Sequence, residues 1–134
     1  MSGYSPRPLA DKLGLKPGMR AWFGAMPAAI RAELSPQIGT LAEQTMPTAG
    51  LELGHIFVTE RAVLARELPL LRECLAPAGF LWVSWPKRAS GVASDVSEDS
   101  VRAVALPLGL VDVKVCAVDA VWSGLKLMIR RELR

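Results

Sequence analysis

The stretch that decides the fold of this chain is Gly79-Phe-Leu-Trp-Val-Ser-Trp-Pro-Lys-Arg-Ala-Ser-Gly-Val-Ala-Ser-Asp95. It begins as an apolar run, Phe80 to Trp85, in which polar and apolar side chains do not alternate. Such a run is typical of a strand buried on both faces at the centre of a mostly parallel sheet. A proline ends the run, and a basic loop rich in serine and glycine follows. The stretch therefore predicts a central strand that delivers polar groups to one edge of a sheet.

Predicted strands and helices alternate along the rest of the chain. The predicted strands cover residues 19–23, 55–59, 80–85, 113–119 and 125–131. Predicted helices follow Pro27, Thr59 and Asp95, and the second of them carries Leu64, Leu68, Leu71 and Leu75 on one face. The alternation predicts an α/β, Rossmann-like three-layer sandwich with a mostly parallel sheet. The last two strands, joined by a short connection at 120–124, add an antiparallel C-terminal hairpin.

Prolines and glycines predict where several elements end. Pro36 is expected to close the first long helix, and Pro77-Ala78-Gly79 to close the second. Between residues 35 and 50 we expect only one helical turn, at 41–44, and then a short edge strand at 51–53.

Two helix starts have candidate caps. Thr59 is expected to cap one helix, with Glu60 adding favourable charge in its first turn. Asp95 and Glu98 have the spacing of a capping box at the other, and Ser97 is the competing cap.

The length of 134 residues indicates one domain. Residues 1–18 are expected to form an N-terminal arm, and residues 19–134 a single α/β domain. Pro6 and Pro8 favour an extended start to the arm. The arm either folds back on the body through Tyr4 and Leu9 or stays mobile, and the sequence leaves both alternatives open.

Composition excludes several classes of function. Sixteen Lys and Arg residues are nearly matched by thirteen Asp and Glu, so the net charge of +3 argues against a nucleic-acid-binding surface. Every uncharged stretch, Ala103 to Val111 among them, is far shorter than a membrane span, and no signal peptide is expected. Cys74 and Cys116 have no metal or redox spacing. We expect both to be reduced core residues of a cytoplasmic protein.

Polar groups are expected to meet at the carboxyl ends of the predicted parallel strands, where ligands bind in such sheets. The connections at 24–26, 59–61 and 86–94 would converge there. The candidate ligand-binding residues are Gly24, Lys87, Arg88, Ser90 and Gly91. The basic groups and the backbone N–H groups near glycine suit a small anion or a nucleotide phosphate. The alternative is that Lys87 and Arg88 are solvated loop residues and that Ser90 and Gly91 only turn the chain.

The sequence shows no catalytic or metal-binding constellation. His55 is the only histidine, and we expect it at a strand start, with a structural role. Two cysteines and one histidine far apart do not form a zinc site. No Gly-Lys-Ser/Thr follows a glycine-rich loop, so the Walker-type phosphate-binding loop is missing. The sequence identifies no cofactor.

Several longer motifs are shared with a known family. They are Gly3-Tyr4-Ser5, Pro8-Leu9 and Lys12-Leu13-Gly14 near the start; Trp85-Pro86-Lys87, Ser90-Gly91-Val92 and Asp95 in the middle; and Leu106–Asp112, Lys114–Ala117 and Trp122–Leu125 near the end. In these motifs the chain resembles a family of small bacterial proteins defined as a domain of unknown function. The resemblance covers nearly the whole chain and implies no activity.

A second, more distant likeness is to Rossmann-like methyltransferases. Pro77-Ala78-Gly79 before the central strand, and the terminal hairpin, are similar to features of that family. The turn after the first strand departs from it, because Phe23-Gly24-Ala25-Met26-Pro27 has one glycine where the family has several. No acidic residue that could bind a ribose lies at the end of a well-defined second strand, and Glu52 is the nearest candidate.

Three hypotheses of function follow. The first is a non-catalytic module that binds a small anionic ligand or nucleotide at Lys87, Arg88, Ser90, Gly91 and Gly24. The second is an interaction protein that forms a homo-oligomer, or binds a protein partner, through the edge of its terminal hairpin. The third is a degenerate S-adenosylmethionine-dependent methyltransferase-like protein.

Overall fold

A six-stranded sheet is the centre of the structure, a computed structural model in which residues 7–134 are described. Its strands are β1 (Arg20–Gly24), β2 (Ala42–Glu43), β3 (Leu51–Phe57), β4 (Leu75–Pro86), β5 (Leu110–Ala117) and β6 (Trp122–Ile129). They lie in the order β2-β1-β3-β4-β6-β5. The first four strands are parallel, and β6 runs antiparallel to both β4 and β5. The predicted Rossmann-like α/β class, with a mostly parallel sheet and an antiparallel C-terminal hairpin, is confirmed.

Helices cover both faces of the sheet. They are α1 (Leu9–Leu13), α2 (Ala28–Ile38), α3 (Arg61–Cys74) and α4 (Glu98–Ala105), and short 3-10 turns lie at Arg88–Ser90, Leu106–Leu108 and Arg131–Leu133. One apolar core joins α3 and α4 to the sheet, and a second joins α1 and α2 to the opposite face. Alternate residues of β4 enter the two cores: Leu81 and Val83 enter the first, and Phe80 and Trp82 the second. This arrangement is the three-layer sandwich that the sequence predicts.

The start of the described chain packs on the α1–α2 face of the sheet. Leu9, Ala10 and Leu13 are buried, and the indole N–H of Trp82 donates to the carbonyl of Leu13 over 2.9 Å. Tyr4 lies outside the described residues. The division into an arm at 1–18 and a domain at 19–134 stays a prediction.

Three predicted boundaries near the start are wrong. Pro36 lies inside α2, which continues to Ile38, and the N–H groups of Gly39 and Thr40 bond to carbonyls of its last turn. Residues 41–44 hold strand β2, because the N–H groups of Ala42 and Gln44 donate to the carbonyls of Met19, just before β1, and of Ala21 in β1, over 2.9 and 2.7 Å. The predicted edge strand at 51–53 and the strand at 55–59 are one internal strand, β3. The extents of β2 and β3 depend on hydrogen bonding to neighbouring strands, and local sequence does not show that pairing.

The prediction that Pro77-Ala78-Gly79 ends a helix is also wrong. Helix α3 ends at Cys74, and β4 begins at Leu75, with these three residues inside the strand. The pairing of β3 with β4 shifts register between Leu51 and Leu53, next to this segment. A Cβ on Gly79 would stand 2.9 Å from the carbonyl oxygen of Leu51, so the close backbone approach requires glycine.

The terminal hairpin is displaced from its predicted position. Its strands begin and end earlier than 113–119 and 125–131, and residues 118–121 form the connection instead of 120–124. Asp119 sets this turn, because its carboxylate accepts the N–H groups of Val121 and Trp122 over 2.8 and 2.7 Å.

Two observations concern the cellular environment that the sequence predicts. Within residues 7–134 no helix combines the length and the apolar character that crossing a membrane requires. Cys74 and Cys116 are free thiols. A cytoplasmic location stays a prediction.

Candidate functional site

The four parallel strands all end at one edge of the sheet, called here the carboxyl edge. Two of the clefts in the described part of the chain open along it. The loop cleft, about 380 Å³, lies beyond the end of β4, and its walls include Trp85, Arg88, Val92, Ser94 and Ser97. The Gly24 cleft, about 300 Å³, lies beyond β1 and β3, and its walls include Trp22, Gly24, Ala25, Val63 and Arg66. Both volumes suit small ligands, and both clefts lie where α/β sheets bind them.

The loop after β4, residues 86–97, is tied to the hairpin by Lys87. The Lys87 ammonium donates to the carbonyl of Asp119 over 2.7 Å, and the Lys87 N–H donates to the carbonyl of Val121 over 2.7 Å. Lys87 belongs to the candidate site predicted from the sequence. In this structure its charge holds the loop in place instead of pointing into the loop cleft.

The far end of the same loop is tied to the start of α3 by Asp95. The Asp95 carboxylate accepts the N–H of Arg61 over 2.7 Å, and the Asp95 N–H donates to the carbonyl of Thr59 over 3.2 Å. Asp95 therefore caps α3, whereas Thr59 makes no side-chain cap there.

The predicted box of Asp95 and Glu98 at the start of α4 is wrong. Ser97 is the cap of α4, and it exchanges bonds with Ser100: the Ser100 N–H donates to Ser97 Oγ over 3.2 Å, and the Ser97 N–H donates to Ser100 Oγ over 2.7 Å.

One charged side chain in the middle of the loop is available to a ligand. Ser90 Oγ donates to the Lys87 carbonyl over 2.6 Å and accepts the Val92 N–H over 3.2 Å, so this hydroxyl shapes the turn. Gly91 has a φ of 79°, which favours glycine. Arg88 is exposed, lines the loop cleft and makes none of the ion pairs within residues 7–134. Of the four predicted loop residues, Arg88 alone lines this cleft with an available charge.

Gly24 lies in the other cleft, apart from the loop residues. The Trp22 and Ile56 side chains occupy the space where a side chain at position 24 would lie. A Cβ on Gly24 would stand 2.5 Å from the Trp22 ring and 3.1 Å from Ile56 Cγ2. Trp22 is half-buried in the wall of the Gly24 cleft. The glycine makes room for this indole.

The turn that follows Gly24 is unlike a phosphate-binding turn. Ala25 has a φ of 56°, and among residues 7–134 it is the only non-glycine residue with positive φ. Pro27 precedes α2 and has no N–H to offer a ligand.

An acid that the sequence analysis missed lies at the end of the second strand. Glu43 ends β2 and follows Gly24 by roughly 20 residues, the separation at which such folds place a ribose-binding acid. Its carboxylate is engaged by Arg31, whose two terminal nitrogens donate over 3.3 and 2.8 Å. The hydrogen bond with Glu43 raises the pKa of Arg31.

Glu52, the candidate from the sequence, lies near the start of β3, at the opposite edge of the sheet. It accepts the Arg20 N–H over 2.9 Å. The spacing from Gly24 is the signal that would have favoured Glu43, but β2 is too short for periodicity to reveal it.

His55 has a structural position, although it lies inside β3 instead of at the strand start. Its Nε2 and Ser84 Oγ are 2.7 Å apart, its ring stacks on Phe57 with centroids 4.3 Å apart, and its Nδ1 has no partner within residues 7–134. Burial lowers the pKa of His55 to about 3, so the ring is neutral. His55 and Ser84 are 1% and 0% exposed, so no substrate reaches this Ser–His pair.

Comparison with known proteins identifies the fold. No family model matches the chain, and no curated protein matches it in sequence. Similar solved structures include a SAM-dependent methyltransferase from Aquifex aeolicus, with 16% identity, a TM-score of 0.62, and coverage of 90% of this chain and 87% of that one. A TehB-like SAM-dependent methyltransferase from Corynebacterium glutamicum has 8% identity, a TM-score of 0.55, and coverage of 91% and 85%. Aeropyrum pernix fibrillarin, solved with S-adenosyl-L-methionine, has 13% identity, a TM-score of 0.56, and coverage of 90% and 73%.

The fold is therefore the Rossmann-like fold of SAM-dependent methyltransferases, and the likeness predicted from the sequence is confirmed at the level of fold. The resemblance to the small bacterial family stays a prediction.

The turn after β1 differs from the glycine-rich turn by which such folds bind a nucleoside cofactor. Trp22 fills the space over the single glycine, and Ala25 stands in the left-handed region that favours glycine. Glu43, the acid suited to a ribose, is held by Arg31.

Proposed function

We propose that this chain is a degenerate methyltransferase-like protein that binds a small anionic ligand in the loop cleft and does not transfer a methyl group from S-adenosylmethionine. The observation that carries the proposal is the Trp22 indole over Gly24, with a Cβ position only 2.5 Å from the ring. In a dinucleotide- or nucleoside-binding turn, glycines let the cofactor approach the backbone. Here the corresponding space belongs to the protein's own side chain.

The loop cleft supports binding of an anion. Arg88 supplies a planar cation with several donors, the group best suited to a carboxylate or a phosphate. Lys87 and Asp95 fix the two ends of the loop, so the cleft is formed before the ligand arrives. The Asp95 carboxylate would repel an anion in the loop cleft. Because it already accepts an N–H at the start of α3, part of that repulsion is offset.

Calorimetry tests both parts of the proposal. We expect no binding of S-adenosylmethionine or S-adenosylhomocysteine to the native protein. Among simple phosphate monoesters and carboxylates, we expect a ligand whose affinity falls about tenfold in Arg88→Gln, because a charge-assisted hydrogen bond is lost. Arg131→Gln is the matched control, since it removes the same charge outside the loop cleft and should leave the affinity unchanged.

Two results would contradict the proposal. Tight binding of S-adenosylmethionine to the native protein would show that the turn after β1 still accepts the cofactor. Equal anion binding by native protein and Arg88→Gln would place the ligand elsewhere.

Self-association is the second candidate, and the edge strand β5 favours it. Val113 and Val115 are 48% and 53% exposed on this strand. The same strand carries a register shift between Asp112 and Lys114, and bulges and lysines are features that discourage edge pairing. A monomeric mass in light scattering at micromolar concentration would count against a homo-oligomer.

A further inference from the structure

Two lysines extend a row of paired residues that runs across the sheet. In this row His55 of β3 pairs with Trp82 of β4, Trp82 pairs with Lys126 of β6, and Lys126 pairs with Lys114 of β5. Directly paired residues point to the same face of a sheet, here the face covered by α1 and α2. Helix α1 covers Trp82, whose indole bonds to Leu13. The row then continues outward with Lys126 and Lys114 as paired residues on adjacent strands.

Lys126 is the centre of this group, and an aromatic ring supports it. Its ammonium nitrogen lies 4.3 Å from the centroid of the Phe80 ring, and the side chain is half-buried. The backbone of Gly14 packs on the same ring, with its Cβ position 3.1 Å from Phe80 Cζ, and Lys16 follows two residues later in the chain. Burial and then the charges of Lys114 and Lys16 lower the pKa of Lys126, which agrees with three cations close together.

None of these lysines has an acidic partner within residues 7–134, where every ion pair uses an arginine. Like charges directly opposite on paired strands destabilise a sheet. A ligand that carries several negative charges would relieve this repulsion. Without a ligand, the Phe80 ring would hold the Lys126 ammonium in place.

We propose that Lys16, Lys114 and Lys126 form a second site, which binds a multiply charged phosphate group such as a diphosphate. The site is separate from the loop cleft, because Lys126 pairs with Trp82, four residues before the end of β4 at Pro86, a distance of roughly 13 Å along the strand. It also faces the helix layer opposite to α4, which borders the loop cleft.

Inorganic pyrophosphate is the probe, and its effect is measured as a shift in melting temperature and by calorimetry at low ionic strength. We expect pyrophosphate to raise the melting temperature of the native protein, because it binds only the folded state. Lys114→Gln and Lys126→Met should each weaken binding at least about tenfold, since each removes one charge-assisted contact. Met keeps an unbranched apolar stem over Phe80, so Lys126→Met tests the charge more than the packing.

Two controls separate this site from other anion sites. Lys12→Gln removes an equal charge outside the three-lysine group and should keep the full pyrophosphate affinity. Arg88→Gln should lose anion binding in the loop cleft but retain the part of the pyrophosphate shift that depends on Lys114, so failure here and failure of the loop cleft are distinguishable. A shift of equal size with acetate would refute the need for a multiply charged ligand.

The ligand-free variants give an independent readout. Lys114→Gln should melt at a higher temperature than the native protein without ligand, because it removes a like charge opposite Lys126. The proposal is overturned if the native protein shows no pyrophosphate shift, or if the shift persists in Lys114→Gln. Lys114 is exposed, so this variant decides the outcome even if Lys126→Met does not fold.

Discussion

Acidification from about pH 7.5 to about pH 5 should destabilise this protein through His55. The ring is 1% exposed, its Nδ1 has no partner among residues 7–134, and burial lowers its pKa from 6.5 to about 3. In the unfolded chain the ring takes up a proton below pH 6.5, whereas in the folded chain it stays neutral. The unfolded state therefore binds more protons below pH 6.5, and the free energy of unfolding falls as the pH falls.

The magnitude follows from the two pKa values. Between the unfolded and folded pKa values the loss approaches about 1.4 kcal/mol for each pH unit, which amounts to about 2 kcal/mol at pH 5. That is a large fraction of the stability of a typical domain, about 5–15 kcal/mol. The stability is fully present above pH 6.5, and its loss levels off near the folded pKa of about 3.

Urea unfolding followed by circular dichroism measures this effect at several pH values. The control is His55→Gln, which does not titrate and keeps a polar group beside Ser84. Other titrating groups act equally on both proteins, so the difference between their pH profiles isolates the histidine. Parallel profiles between about pH 7.5 and about pH 5 would refute the assignment of a buried, neutral ring.

Three further predictions concern the backbone near the carboxyl edge and in β4. Asp95→Ala should lower the free energy of unfolding by about 1 kcal/mol, because α3 loses its cap, whereas Asp95→Asn keeps an acceptor and should lose less; urea midpoints measure both. Ala25→Gly should raise the melting temperature, since it relieves a φ of 56° that costs about 1 kcal/mol; a lower melting temperature would contradict this conformation. Gly79→Ala should cost about 1–3 kcal/mol, because its Cβ would lie 2.9 Å from the carbonyl oxygen of Leu51, whereas Gly39→Ala meets only ordinary contacts; equal effects on unfolding would disprove the close approach.

The sequence by itself determined the fold class and the edge of the sheet at which the loop after β4 lies. The apolar run of β4, the leucine face of α3 and the polar and apolar alternation of β6 are local patterns, and burial imposes each of them within one element. Their order along the chain then leaves few topologies for the sheet. The same patterns placed the loop after β4 at the carboxyl edge, where Arg88 lines a cleft.

Tertiary structure alone decided which charges are available. The Lys87 ammonium donates to a carbonyl 32 residues away, and Asp95 caps a helix that begins 34 residues before it. Glu43 in β2 pairs with Arg31 in α2. These partners meet through the packing of distant segments, and no local pattern records them. The juxtaposition of Lys114 and Lys126 likewise exists only because β5 and β6 pair in one particular register. Local periodicity fixes which face of an element is buried, but long-range pairing fixes what each polar group touches.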